Sequence, residues 1–255
     1  MSKIVNRTLD FFEAFAVAKR PLVLSELMKV LDIPVSSCHD VLRALEERGY
    51  LYEVRPRGGY YPTARLFDLA KVLVENDPFM SRVQPVLEHL RDQAEESVFL
   101  MKAREQSLIY VAVVEADSPL RLSVRVGDSV RALHATSAGK AYLGSFAPAN
   151  LDRALGALRL KALTPLTITS KGALKKDILE SEQRGWFLNR EESVEDSLTI
   201  SARFHWHDAI YTVTVAGSVK RMDRKLDRLV ASLKAAAAHL QQPVPTDAGL
   251  PAGQP

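Results

Sequence analysis

Residues 24–49 read LSELMKVLDIPVSSCHDVLRALEERG, and this stretch decides the fold of the N-terminal part of the chain. Leu24-Ser25-Glu26 opens a short helix, with Ser25 as its N-cap, that runs through Leu27, Met28, Val30 and Leu31. Asp32-Ile33-Pro34 makes a tight turn. Ser36 or Ser37 then caps a helix over 37–48, with Val41, Leu42 and Leu45 on its buried face and Gly49 as its stop. Upstream, Ile4, Val5, Leu9, Phe12, Phe15 and Ala16 recur at three- and four-residue steps, which predicts a helix over 4–18 ended by Lys19-Arg20-Pro21. Downstream, 50–54 and 59–62 are strand-like runs around the basic tip Arg55-Pro56-Arg57-Gly58. Helix, short helix, turn, helix and hairpin is the element order of a winged helix-turn-helix, predicted over 1–62.

Such a module places the N-terminal end of its last helix in the DNA major groove. Here that end carries Ser36, Ser37 and His39, with Arg43 one turn on, while Arg55 and Arg57 at the hairpin tip are placed for a flanking phosphate or a minor groove. Phosphate contacts would position the domain and base contacts would specify the site. The charge balance keeps an alternative open. Residues 1–62 hold nine Lys/Arg and eight Asp/Glu, so a protein-interaction adaptor of the same fold fits the element order too.

Two helical patterns follow, over 63–75 and from beyond Asn76-Asp77-Pro78 to about 95; together, as 63–96, they link the small domain to the rest and offer a dimer contact. From 97 to 240 the order changes. Strands are predicted over 98–103, 108–114, 120–126 and 130–134, helices over 136–146, 148–157 and 170–185, strands over 198–204 and 209–216, and a last helix over 221–240. That order predicts an α+β domain built on one antiparallel sheet. The tail 241–255 contains Pro and Gly without an apolar period and is expected to be disordered.

Composition narrows the classes. The chain has 255 residues, 47% hydrophobic and 25% charged, with a net charge of +3, an ordinary globular balance. One cysteine, Cys38, excludes an intrachain disulfide framework and a Cys-rich metal site. No Gly-rich phosphate loop, His-Glu-x-x-His or nucleophile elbow occurs, so no enzyme activity, catalytic residue, metal site or cofactor is expected. His134 reads as structural. His205 and His207 flank Trp206 but fall short of the about four ligands of a structural zinc. No apolar run approaches the ~18 residues of a membrane span and no signal peptide opens the chain, so the expected location is the cytoplasm.

Four motifs now carry a resemblance. They are Ile33-Pro34-Val35-Ser36-Ser37-Cys38-His39-Asp40-Val41-Leu42, continued by Leu45-Glu46-Glu47-Arg48-Gly49-Tyr50; Arg125-Val126-Gly127-Asp128 with Leu133-His134-Ala135-Thr136-Ser137-Ala138-Gly139-Lys140-Ala141; Arg184-Gly185-Trp186 with Glu191-Glu192; and Val215-Ala216-Gly217 with Arg221. In this order they resemble the isocitrate-lyase-regulator (IclR) family of bacterial transcription regulators, from about Val5 to Leu240. The resemblance implies sequence-specific binding to double-stranded DNA at a palindromic operator, a homodimer that pairs into a dimer of dimers, and a C-terminal GAF/PAS-like domain that binds a small-molecule effector, an organic or aromatic acid. Matching positions imply an effector site of Leu120, Ser137, Ala138, Asn189, Ser197, Thr199, Thr214 and Ala216. The chemistry suits an acid: hydroxyls, an apolar wall, and backbone N–H groups at the helix opening with Thr136-Ser137. Two departures stand out. Val35 and Asp40 replace a usual Lys and Arg, which implies altered specificity or weaker affinity, and Asp196 replaces a usual glycine, which implies a ligand other than the small keto acids some relatives bind.

Overall fold

The computed structural model describes residues 3–56, 58–117 and 124–242. The chain divides into two compact units, 1–80 and 81–255. In the first, α1 (Lys3–Ala18), α2 (Leu24–Leu31) and α3 (Val35–Glu47) pack around Phe11, Phe15, Leu27, Cys38, Leu42 and Leu45. The apolar residues fall on one face of each helix because side chains three and four apart share a face. Asp32 takes the left-handed region (φ 50) in the α2–α3 turn, and Gly49 does so (φ 74) after α3. β1 (Leu51–Glu53) and β2 (Tyr60–Pro62) form the antiparallel hairpin, in register Tyr52 to Tyr61, and Leu22 bridges to Tyr60. α4 (Arg65–Glu75) follows with no buried residue.

Both caps expected in this unit move. α2 starts at Leu24, so Ser25 lies inside it; the Glu26 carboxylate instead accepts from the Val23 N–H at 3.1 Å. α3 starts at Val35 after Pro34, so Ser36 and Ser37 are already helical and neither caps. Pro34 itself takes the N-cap position in an extended conformation (φ −61, ψ 152), and its ring has no acceptor to cap with.

The second unit holds α5 (Pro78–Ala94) from Ser81 onward and is built on a six-stranded sheet of order β5-β4-β3-β8-β7-β6, with β3 (Ser97–Arg104), β4 (Ser107–Val114), β5 (Ser129–Val130), β6 (Phe187–Arg190), β7 (Ser197–Trp206) and β8 (Ala209–Ser218). Every pair is antiparallel. Alternation along the strands divides the sheet. Leu198, Ile200, Phe204, Val213 and Val215 are buried on the face that α10 (Leu226–Gln241) covers. Phe99, Met101, Phe187 and Ala216 are buried on the other face, with α6 (Ser137–Leu143), α7 (Pro148–Ala157) and α8 (Lys171–Arg184). This is the α+β architecture with one antiparallel sheet.

Several boundaries differ from the sequence reading. Residues 124–126 are not a strand, and the rest of the strand predicted over 120–126 lies outside the described residues, as does Leu120. The strand predicted over 130–134 shortens to Ser129–Val130, followed by a 3-10 turn, Leu133–Ala135. β6 was not expected. The last helix is broken into α9 (Val219–Asp223) and α10, and α10 ends at Gln241, one residue into the predicted tail. Residues 243–255 lie outside the described residues.

Candidate functional site

In the first unit, burial of Cys38, Leu42 and Leu45 turns the opposite side of α3 to solvent. Ser36, His39, Asp40 and Arg43 are exposed there and Ser37 is half-buried, so four of the expected DNA contacts share one helix. Arg43 Nε donates to Glu47 Oε1 at 2.8 Å, an i,i+4 pair between two well-exposed side chains. Arg55 is exposed at the hairpin tip; Arg57 lies outside the described residues. Beside α3 runs a groove of about 590 Å³ lined by Phe12, Val41, Leu45, Tyr50, Leu66 and Leu69, with Asp40 and Arg7 also on its wall.

In the second unit, β6, β7 and β8 present two cross-strand rows to α6. Phe187, Ser201, Thr214 and Phe99 form one; Asn189, Thr199, Ala216 and Ser97 form the next. Ser137, the first residue of α6, drops onto them. Its Oγ lies 2.7 Å from Thr199 Oγ1 and 2.7 Å from Ser201 Oγ, and Ser201 Oγ lies 2.8 Å from Thr214 Oγ1. All four hydroxyls are buried, Ser137 and Ser201 completely. Ala138 and Ala216 are buried alongside. So Ser137, Thr199 and Thr214 meet as expected, and Ser201 joins them. The sequence reading missed Ser201, although its place two residues after Thr199 on one strand puts both on the same face.

Two other expected residues serve the neighbouring loop. Asn189 Nδ2 donates to Ser193 Oγ at 2.9 Å, and its Oδ1 accepts from the Glu192 N–H at 2.8 Å. Ser197 Oγ donates to the Val194 carbonyl at 2.6 Å. In that loop Asp196 has φ 54, the conformation that favours glycine, and its N–H donates to Glu191 Oε1 at 2.9 Å. The backbone therefore keeps its left-handed turn without glycine. The helix opening also differs from expectation: α6 is a seven-residue helix, and Thr136, not Ser137, caps it, accepting from the Gly139 N–H at 3.1 Å. One of the N–H groups assigned to an anion is thus already satisfied.

One turn beyond Ser137, Lys140 is almost wholly buried. Its Nζ lies 2.5 Å from Glu192 Oε1 and 2.8 Å from Asp177 Oδ2, and donates to the Leu188 carbonyl at 3.2 Å. Burial raises the Glu192 carboxyl above the usual carboxylate range, with Lys140 pulling it back down. Lys140 and Arg203, three residues from Ser137 and two from Ser201, are thus both tied to carboxylates, Arg203 to Glu182. Gly139 is required at its position: a Cβ there would lie 2.2 Å from the Leu133 carbonyl oxygen. His134 bonds locally, its Nε2 2.9 Å from the Lys161 carbonyl. No group of three or more His, Cys, Asp or Glu that could hold a metal occurs among the described residues. No helix among the described residues is long and apolar enough to cross a membrane.

Comparison with known proteins agrees with both units. Residues 5–55 match the IclR helix-turn-helix domain, and residues 71–242 match the family described as bacterial transcriptional regulator IclR C-terminal. The HTH-type transcriptional regulator BhcR of Paracoccus denitrificans is 27% identical over 241 residues, covering 93% of this chain and 86% of the relative. The crystal structure of Thermotoga maritima IclR superposes with a TM-score of 0.67 at 22% identity, covering 94% of this chain and 98% of that one. An IclR homolog from Microbacterium hydrocarbonoxydans, crystallised with 4-hydroxybenzoate, superposes with a TM-score of 0.71 at 18% identity, covering 94% and 98%. With both domain families matched in order over nearly the whole chain, this protein belongs to the IclR family of bacterial transcription regulators, with a DNA-binding helix-turn-helix domain and an effector-binding C-terminal domain.

Proposed function

We propose that this protein is a sequence-specific transcription regulator whose operator affinity is set by a small organic or aromatic acid. The observation that carries the reading is the buried set of hydroxyls on Ser137, Thr199, Ser201 and Thr214, drawn from a helix and two strands. Hydroxyls bonded, among the described residues, to one another can exchange those bonds for bonds to a carboxylate, while Ala138 and Ala216 supply apolar wall. The 4-hydroxybenzoate bound by the Microbacterium hydrocarbonoxydans homolog is an acid of this class. Ser36, Ser37, His39 and Arg43 on α3, with Arg55 and, by sequence position, Arg57, are assigned to DNA, and the effector is assigned to the hydroxyl set with Asn189 and Ser197 and, by sequence position, Leu120. Ligand acts only through a difference in its affinity for two arrangements of the protein.

The regulator is read as a homodimer on a palindromic operator, with a dimer of dimers as its larger assembly. Support comes from α4, where Phe67, Val72, Leu73 and Val74 are all more than half exposed. Pairing two such helices would bury part of that apolar surface and present two α3 helices to half-sites about one DNA turn apart. The domain limits proposed are 1–62, a linker over 63–96 and an effector domain over 97–240.

The test is a thermal-shift screen of the full chain against small carboxylic acids, 4-hydroxybenzoate and sugars. A native site saturated at about 100 times its Kd adds about 2.7 kcal/mol. A hit among the acids that is lost in Ser137→Ala and Thr199→Val supports the site; stabilisation by no acid sinks it. A second reading, a protein-interaction adaptor, is favoured by the charge of α3: its exposed side carries Asp40, Glu46 and Glu47 against Arg43. DNA affinity that falls steeply with salt excludes that reading, because phosphate contacts release counterions.

A further inference from the structure

We infer that Asp40 is a specificity-determining residue that reads the amino group of a cytosine in the major groove; the inference rests on the DNA-binding reading above. At about 100° per helical residue, Asp40 lies about 200° from both Cys38 and Leu42. Those two are 0% and 2% exposed. Asp40 therefore stands opposite the packed face of α3, in its N-terminal half, where a recognition helix meets base edges. It is exposed, and no hydrogen bond or ion pair holds its carboxylate among the described residues. Its neighbour one turn on is different: Arg43 is held by Glu47 at 2.8 Å. Of the charged groups Asp40, Arg43 and Glu47 on this face, the one left free among the described residues is Asp40, an acceptor and not a donor.

A carboxylate accepts hydrogen bonds and donates none. In the major groove guanine offers N7 and O6, both acceptors, and thymine offers O4 and a methyl group. Adenine offers the N6 amino donor, but beside its own N7 acceptor. Cytosine offers the N4 amino donor with a C–H on its outer side. Only cytosine presents a donor that a carboxylate can meet without an acceptor against its second oxygen on the same base. Everywhere else the phosphates and the base acceptors repel it. Asp40 thus lowers affinity for DNA in general and spares sequences with cytosine at one fixed position of each half-site.

The test is selection of binding sites from a randomised duplex pool by the full chain, as wild type, Asp40→Ala and Asp40→Asn, followed by fluorescence anisotropy on the winning site. Asp40 is exposed, so both variants are expected to fold, with circular dichroism and melting curves as the control. Wild type is expected to fix one cytosine, and changing that C·G pair to T·A should weaken it about tenfold or more. Asp40→Ala should bind the two duplexes alike and hold non-specific DNA more tightly than wild type. Asp40→Asn should move the preference from cytosine to adenine, because an amide pairs with adenine N6 and N7 together. The same preference at every position in all three proteins overturns the inference and leaves the DNA-binding reading standing. Selection of no sequence by wild type overturns both, and the two failures are distinct.

Discussion

Replacing Lys140 by Met tests the buried ion cluster one turn along α6 from the hydroxyl of Ser137. The change keeps the apolar stem and removes the ammonium from Glu192 and Asp177, 2.5 and 2.8 Å away. The Lys140 side chain is 1% exposed and that of Glu192 9%, so Glu192 would stay buried without its partner, whereas Asp177, at 28%, can reach water. Removing one member of a buried pair costs about 3–5 kcal/mol. For a unit of this size that is a fall in Tm of about 6–20 °C. The pH dependence has a defined sign. Burial holds the Glu192 carboxyl above its ordinary value, so the folded state keeps that proton longer than the unfolded chain does. Stability is therefore lost as pH rises from the ordinary carboxylate range through the folded value. Without Lys140 that loss deepens, so Lys140→Met is hurt more at neutral than at mildly acid pH, and adding Glu192→Gln restores most of the stability. Both tryptophans, Trp186 and Trp206, lie in the second unit, so their fluorescence reports its melting separately from the first. A shift of only a degree or two, an equal shift at both pH values, or no rescue by Glu192→Gln refutes this reasoning.

Other perturbations test other parts. Gly217→Ala would place a Cβ 2.3 Å from Glu96 Oε2, which is buried and paired with Arg221 through two bonds of 2.9 and 2.8 Å; forcing that pair apart should lower the same tryptophan-detected Tm by an amount similar to Lys140→Met. Tyr110 is pushed up to about 12 by burial and then by Asp128. Its phenol should resist ionisation, and the stability it contributes should be lost between about 10, where the unfolded phenol ionises, and about 12; ultraviolet titration against Tyr110→Phe shows whether one tyrosine is missing from the lower step. Leu73→Asp on α4 should leave the melting of the chain nearly unchanged, since Leu73 is 64% exposed, yet move sedimentation from dimer toward monomer; an unchanged dimer would place the interface elsewhere.

The parts legible in the sequence are those set by local periodicity. The face of α3 made by Cys38, Leu42 and Leu45 repeats at helical steps, and a left-handed glycine, Gly49, follows it. The β7–β8 hairpin was legible for the same reason, as two runs of β-forming residues. What was hidden depends on partners far along the chain. β6 is four residues long, too short for a periodic signal, and exists because Asn189 and Phe187 pair with Thr199 and Ser201. The break between α9 and α10 contains neither Gly nor Pro; Lys225 stands there with its Nζ on the Ala94 carbonyl at 2.6 Å. The strand expected over 130–134 gives way at the 3-10 turn, where the Leu133 backbone presses against Gly139. In the effector domain the sequence motifs pointed to Ser137, Thr199 and Thr214, but Ser201 sits between Ile200 and Ala202 and reads as strand filler. The pairing of Lys140 with Glu192 spans 52 residues and has no local signature at all.

Operator affinity with and without effector decides whether ligand and DNA are coupled in this regulator. The full chain would be titrated by fluorescence anisotropy onto its selected operator, at fixed salt, with and without a saturating concentration of the acid that stabilises it most. The acid is expected to change the operator Kd, operator DNA to change the acid's Kd by the same factor, and Ser137→Ala to abolish the effect while still binding the operator. An operator Kd unmoved by saturating acid would contradict that coupling.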